Sequence, residues 1–215
     1  MISTLFATLQ SSVAQISDLG GPVVLILIAV SILTSAVILY KLWQFNRARV
    51  GNHAALSAAV MAWDHGDHAA ATSHLATSRS YLREILEQAM NGQTDSARLD
   101  AEAEARFVRL ESGFRLLDNV AQMAPLLGLF GTVLGMISAF QSLQDAGAQV
   151  DPSILAGGIW VALLTTAVGL AVAMPTSLVL SWFEARMDSE RVFAERALHT
   201  VLSPTRIQHT RQSHA

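Results

Sequence analysis

Two threonines stand where a free hydroxyl is chemically conspicuous. Thr132 and Thr166 lie inside stretches, 119–144 and 152–183, that contain no Asp, Glu, Lys, Arg or His. A hydroxyl deep in hydrocarbon can order water or hydrogen-bond a carboxyl group brought by another chain. It can guide a proton, but it does not titrate near neutral pH and so cannot be the carrier. The competing reading is that each threonine bonds back to a carbonyl of its own helix and serves packing alone. Small residues surround both positions. Gly128, Gly131 and Gly135 flank Thr132, and Gly131-xxx-Gly135 allows close approach of another backbone. Ala162, Thr166, Gly169, Ala173 and Ser177 recur along one helical face. Pro125 and Pro175 each remove an amide donor, so each is expected to shape or kink its helix.

Other candidate chemistry is sparse. His65-Gly66-Asp67-His68 superficially suggests a metal site, with His53 and His74 nearby in the chain. Gly66 weakens a rigid helical presentation, and no third ligand follows at a recognisable spacing, so solvent-exposed histidines are the expectation. No phosphate-binding loop, nucleophile elbow or catalytic carboxylate pair is present. The absence of cysteine excludes a disulfide framework, a thiolate metal site and a cysteine nucleophile. A net charge of −3 provides no basic field for nucleic acid. No enzyme, metal or cofactor is expected.

The elements that must hold the threonines follow from charge and hydropathy. Only 14% of the 215 residues are charged, against about 25% in ordinary soluble domains, and the mean hydropathy is +0.39. An all-α integral membrane protein with three spanning helices is expected. The first runs over 23–43, begins after Pro22, and ends at an interfacial belt of Tyr40, Lys41 and Trp43. The second covers 119–144 and the third 152–183. A cleaved signal peptide is the rival reading of the first stretch. It is disfavoured because 1–21 carries no Lys or Arg and the apolar core is longer than a signal core.

Every Lys and Arg lies within 41–115 or 186–211, while 1–22 and 145–151 hold none. The positive-inside bias therefore places the N-terminal segment 1–22 and the loop 145–151 outside the cytoplasm. It places the 44–118 insert and the 184–215 helix and tail in the cytoplasm. Within the insert, Leu82, Ile85, Leu86 and Ala89 share one helical face, as do Ala103, Phe107, Leu110 and Phe114. Gly92 marks the expected break, and the second of these helices is expected to run straight into the second span. After the third span, Arg186–Glu190 and Arg191–Glu195 are spaced as i,i+4 pairs. Pro204 stops that helix, and the tail beyond it is expected to be disordered.

The runs Gly128-Leu129-Phe130-Gly131-Thr132-Val133 and Ala162-Leu163-Leu164-Thr165-Thr166-Ala167-Val168-Gly169-Leu170 form a specific pair. At these residues the sequence resembles the MotA/TolQ/ExbB proton-channel family, closely over 120–183 and more loosely elsewhere. The three-span order with a large first insert is similar to the ExbB and TolQ branch, whereas MotA-type stators have four spans. The resemblance implies a pentamer in the bacterial inner membrane, around a pore holding a single-span ExbD- or TolR-type partner. That partner's membrane aspartate carries the proton, and force passes to the outer membrane through TonB or TolA. Thr132 and Thr166 match the family's pore threonines; Pro125 and Pro175 match helix-shaping sites. One position departs. Where ExbB and TolQ proteins commonly carry a glutamate five residues before the second threonine, this chain has Val161. Conduction through the partner's aspartate alone, altered coupling, and a non-conducting paralogue all remain open. A subunit coupling the protonmotive force to TonB-dependent transport is the expectation. A TolQ-type envelope-maintenance subunit and a non-conducting oligomeric scaffold are the rivals. A transporter with its own substrate site is weaker, because three spans lack inverted repeats.

Overall fold

A computed structural model describes residues 2–93, 95–145 and 152–204, and only the backbone of 2–20 and of 154. Most of the 145–151 loop and the tail beyond Pro204 lie outside the described residues. The described residues form helices and connections, in the order α1 (Ile2–Ala48), α2 (Ala54–Asp64), α3 (His68–Thr77), α4 (Arg83–Met90), α5 (Ser96–Glu111), α6 (Phe114–Asp145) and α7 (Pro152–Leu202). The molecule is an all-α membrane protein. Gly21–Ala48, Phe114–Asp145 and Leu155–Leu202 are each long and apolar enough to cross a bilayer. The last of these would measure about 72 Å, so its charged end must project beyond a hydrocarbon layer of roughly 30 Å.

The chain divides into two compact units, 1–38 with 113–181 and 39–112 with 182–215. In the first unit α1 is broken at Gly21, whose φ of 67° lies in the left-handed region open to glycine. Pro22 then starts the apolar helix at a position where its missing amide costs nothing. Val23 and Leu27 pack on Ala124, Val172 and Ala173, with Val120, Leu127 and Val168 at the edge of the cluster. The large apolar residues Ile32, Leu33, Phe130, Phe140, Leu163 and Leu178 face outward instead. A soluble protein would expose such a surface to water, whereas acyl chains solvate it readily.

The second unit is a bundle built on the faces read from the sequence. Leu56, Leu75, Leu82, Ile85, Leu86, Leu99 and Phe107 are buried there, together with Phe183, Met187 and Leu198 from the far half of α7. Asp67 and Asp95 cap α3 and α5 by accepting from the amides of Ala70 (2.9 Å) and Arg98 (3.2 Å). Contrary to expectation, α5 does not continue into α6. It ends at Glu111, Gly113 adopts φ 95°, and α6 restarts at Phe114. Lys41 meets this end: its Nζ donates to the Leu110 carbonyl (3.0 Å), Ser112 Oγ (3.3 Å) and Gln44 Oε1 (2.8 Å). An ammonium is favourable beside the orphan carbonyls of a helix C-terminus. Lys41 is therefore buried in this unit rather than belonging to the interfacial belt, while Tyr40 and Trp43 are exposed.

A buried carboxylate organises the same unit. Glu190 is 1% exposed, accepts from Tyr81 OH at 2.6 Å, and shares a 2.8 Å hydrogen bond with His53 Nε2. His53 stacks on Phe193 with ring centroids 4.0 Å apart. Burial and the neighbouring Glu190 carboxylate together push the Tyr81 hydroxyl well above its ordinary pKa, so it stays protonated and remains a donor. Arg191 does not pair along its own helix with Glu195 but reaches across to Glu104 (3.0 Å) and Glu111 (2.6 Å).

Candidate functional site

The site is built where α6 and α7 approach backbone to backbone. The two helices run antiparallel at this contact, since Gly128 meets Thr165 and Gly169, Gly131 meets Thr165, and Gly135 meets Ala162. A Cβ placed on Gly128 would lie 2.9 Å from the Thr165 carbonyl oxygen, and one on Gly131 2.7 Å from Thr165 Cβ. On Gly169 it would lie 2.6 Å from the carbonyl oxygen of Ala124, and on Gly135 3.2 Å from Ala162 Cβ. The glycine strip is thus filled by the opposite helix, which is what small residues permit in a membrane where no hydrophobic force drives helices together.

This contact distributes the hydroxyls unevenly. Thr165, 1% exposed, donates to the carbonyl of Ala162 on its own helix (2.7 Å) and reaches that of Gly128 on α6 (3.2 Å). Half-buried Thr166 lies 3.3 Å from the same Gly128 carbonyl. Thr132 is half-buried too, and its hydroxyl bonds the carbonyl of Leu129 at 2.6 Å within α6. In this chain alone, Thr132 thus makes the intrahelical bond of the packing reading, whereas Thr166 touches the facing helix. Sequence reasoning missed Thr165. Its neighbours Ala162 and Gly169 fit either threonine at helical spacing, so the period does not separate 165 from 166.

Helix α6 runs through half-buried Pro125, and α7 through exposed Pro175. One residue beyond Pro175, buried Thr176 donates to the Val172 carbonyl at 2.7 Å. Val161 is half-buried on the turn that precedes Thr165. The walls of this site carry hydroxyls and backbone dipoles but no group that titrates, because 119–144 and 152–183 contain no ionisable side chain. Such walls can order water or a protonated carboxyl group, but a proton needs another carrier to cross.

The histidines of the insert have mixed surroundings. His65, His68 and His74 are exposed, His68 lying edge-on to Trp63 at 4.3 Å. His53 departs from the expected exposed placement, since its ring is held between Glu190 and Phe193 and its Nδ1 is buried. Among the described residues no three His, Asp or Glu side chains converge as metal ligands.

Comparison with known proteins matches residues 69–195 to the MotA/TolQ/ExbB proton channel family. The chain is 32% identical over 170 residues to the biopolymer transport protein ExbB-like 1 of Synechocystis, covering 74% of this chain and 66% of that protein. It is 45% identical over 67 residues to the biopolymer transport protein exbB1 of Vibrio cholerae, covering 31% of this chain and 29% of that protein. To the Tol-Pal system protein TolQ of Haemophilus influenzae it is 38% identical over 80 residues, 37% of this chain and 35% of that one. The matched region thus spans less than two thirds of the length of each of these relatives.

Proposed function

The chain belongs to the MotA/TolQ/ExbB proton channel family, and on that premise we propose that it is a proton-channel subunit of the bacterial inner membrane. In this reading it couples the protonmotive force to TonB-dependent transport across the outer membrane. It works as a homo-oligomer, a pentamer by family resemblance, with its N-terminus in the periplasm and its C-terminus in the cytoplasm. A single-span partner of the ExbD or TolR type supplies the membrane aspartate, and a TonB- or TolA-type protein passes the force on.

The observation that carries this reading is the composition of the α6–α7 walls. They offer the Thr132 and Thr166 hydroxyls at half-buried positions and no titratable group. A chain built this way can guide a proton past its surface while another chain's carboxylate carries it. Thr132 and Thr166 are assigned to water or to that carboxyl group, and Pro125, Gly128, Gly131, Gly135, Gly169 and Pro175 to holding the two helices in register. Replacing Thr132 or Thr166 by valine keeps the shape and removes only the hydroxyl. Each substitution is expected to abolish energised uptake while the oligomer still assembles with its partner. Full uptake in both variants overturns the assignment.

A TolQ-type role in envelope maintenance is the nearest alternative, supported by the similarity to a Tol-Pal protein. Deletion separates the two, since loss of energised uptake across the outer membrane speaks for the first and loss of envelope integrity with uptake intact for the second. Val161, an apolar residue where the family commonly has an acid, supports a third reading as a non-conducting scaffold. Uncouplers distinguish it, because they mimic deletion of a coupling subunit and leave a scaffold's phenotype unchanged.

A further inference from the structure

At the charged end of the first and third apolar helices the second unit contains an open cavity of about 260 Å³, lined by Leu42, Phe45, Asn46, Val50, Trp182 and Arg186. Its walls are amphipathic in a particular order. Leu42 and Trp182 are exposed and stand at the charged ends of the first and third uncharged stretches, Leu42 just beyond Tyr40 and Trp182 just before Phe183. Phe45 is buried and stacks edge-on to Phe183 with centroids 5.0 Å apart, giving the cavity a rigid apolar floor. Arg186 provides the cation. Its guanidinium lies against Gly51, where a Cβ would coincide with Nη2, so the lack of a side chain at 51 makes the room it occupies. Among the described residues its ion-pair partner is Glu190, at 4.0 Å from Nε and beyond hydrogen-bond reach. No hydrogen bond within the described residues takes up its Nη donors.

We propose that this cavity is a binding site for the headgroup of an anionic phospholipid. The planar guanidinium offers two parallel donors to phosphate oxygens, a geometry that a lysine cannot reproduce. Trp182 and Leu42 line the glycerol and upper acyl region, where amphipathic aromatic rings reside at a bilayer surface. Charge selects the occupant: a zwitterionic headgroup brings its own cation to a site that already holds a guanidinium, whereas phosphatidylglycerol or cardiolipin brings net negative charge. The site is independent of proton conduction and requires only that the apolar helices lie in a bilayer.

Native mass spectrometry of the detergent-purified full chain, titrated with phosphatidylglycerol or phosphatidylcholine, tests it. Phosphatidylglycerol adducts are expected to form in preference to phosphatidylcholine and to weaken about fivefold in Arg186→Gln, the effect of one basic residue at a membrane surface. Arg79→Gln, an exposed charge elsewhere in the unit, controls for net charge and is expected to retain them. Because Arg186 also faces buried Glu190, Trp182→Gln provides a variant that leaves that pair intact and is expected to weaken the same adducts. Excess inorganic phosphate is not expected to compete. Equal retention of the two lipids, undiminished adducts in both Arg186→Gln and Trp182→Gln, or displacement by inorganic phosphate overturns the proposal.

Discussion

Within an apolar helix a threonine must place one O–H donor and two lone pairs, and the residues around Gly128 do so in different ways. Thr132 turns its hydroxyl back to Leu129, Thr165 is sealed between Ala162 and Gly128, and Thr166 lies at the edge, 3.3 Å from Gly128. These placements predict separable phenotypes. Thr165→Val removes a buried interhelical hydrogen bond at nearly constant volume, so it is expected to lower stability by about 1 kcal/mol. That would appear as a reduced midpoint of thermal unfolding in detergent. Thr132→Val is expected to leave the midpoint unchanged and to act only on energised function. An unchanged midpoint in Thr165→Val would show that its hydroxyl is not structurally required. The sequence exposed the uncharged stretches and the hydroxyls in them, because those are properties of composition. It could not rank Thr165 above Thr166, since one step along a helix moves a residue by about 100° and small neighbours at 162 and 169 accommodate both. Nor could it place His53 or Tyr81 beside Glu190, partners separated by 137 and 109 residues.

For the α6–α7 pair, contact between main chains sets tolerance to substitution. A Cβ on Gly169 would stand 2.6 Å from a backbone carbonyl, and backbone cannot rotate aside as a long side chain can. Gly157, on the same helix, has no heavy atom within 4 Å of the equivalent position. Gly169→Ala is therefore expected to force the helices apart and cost about 2 kcal/mol, the usual penalty of overpacking. Gly157→Ala is expected to be neutral or mildly stabilising, because alanine propagates a helix better than glycine. Oligomer yield and thermal midpoint, measured on both variants in one detergent, check this. Comparable loss in the two would mean that helix propensity, rather than close approach, governs the pair. Periodic glycines indicated from the sequence that another helix could approach α6 closely, but not that α7 would be that helix. The separation of α5 from α6 was not announced, because Phe107, Leu110 and Phe114 continue one apolar face across it. That break follows from Gly113 taking a left-handed conformation and from Lys41 satisfying the terminal carbonyls of α5, the latter a long-range contact that leaves no local pattern.

At the scale of the whole chain, ionisable groups are segregated from the two stretches, 119–144 and 152–183, that would border a proton path. The second and third apolar stretches have none, and among the described residues the buried ions, Lys41 and Glu190, are held by named partners in the other unit. A protein arranged in this way cannot move protons by itself, whatever its oligomeric state, unless water alone threads the hydroxyl-lined wall. This separates a carrier mechanism from a water wire. Proteoliposomes containing the purified chain alone, under an imposed pH gradient and with potassium and valinomycin clamping the voltage, are expected to leak protons no faster than empty vesicles. Co-reconstitution with an ExbD- or TolR-type subunit is expected to open a conductance that disappears when that subunit's membrane aspartate becomes asparagine. Conduction by the chain alone would mean that Thr132 and Thr166 order a continuous water path and that no partner carboxylate is needed. Silence even with an intact partner would instead assign Val161 to a lineage that kept the fold and the glycine contact but lost the current.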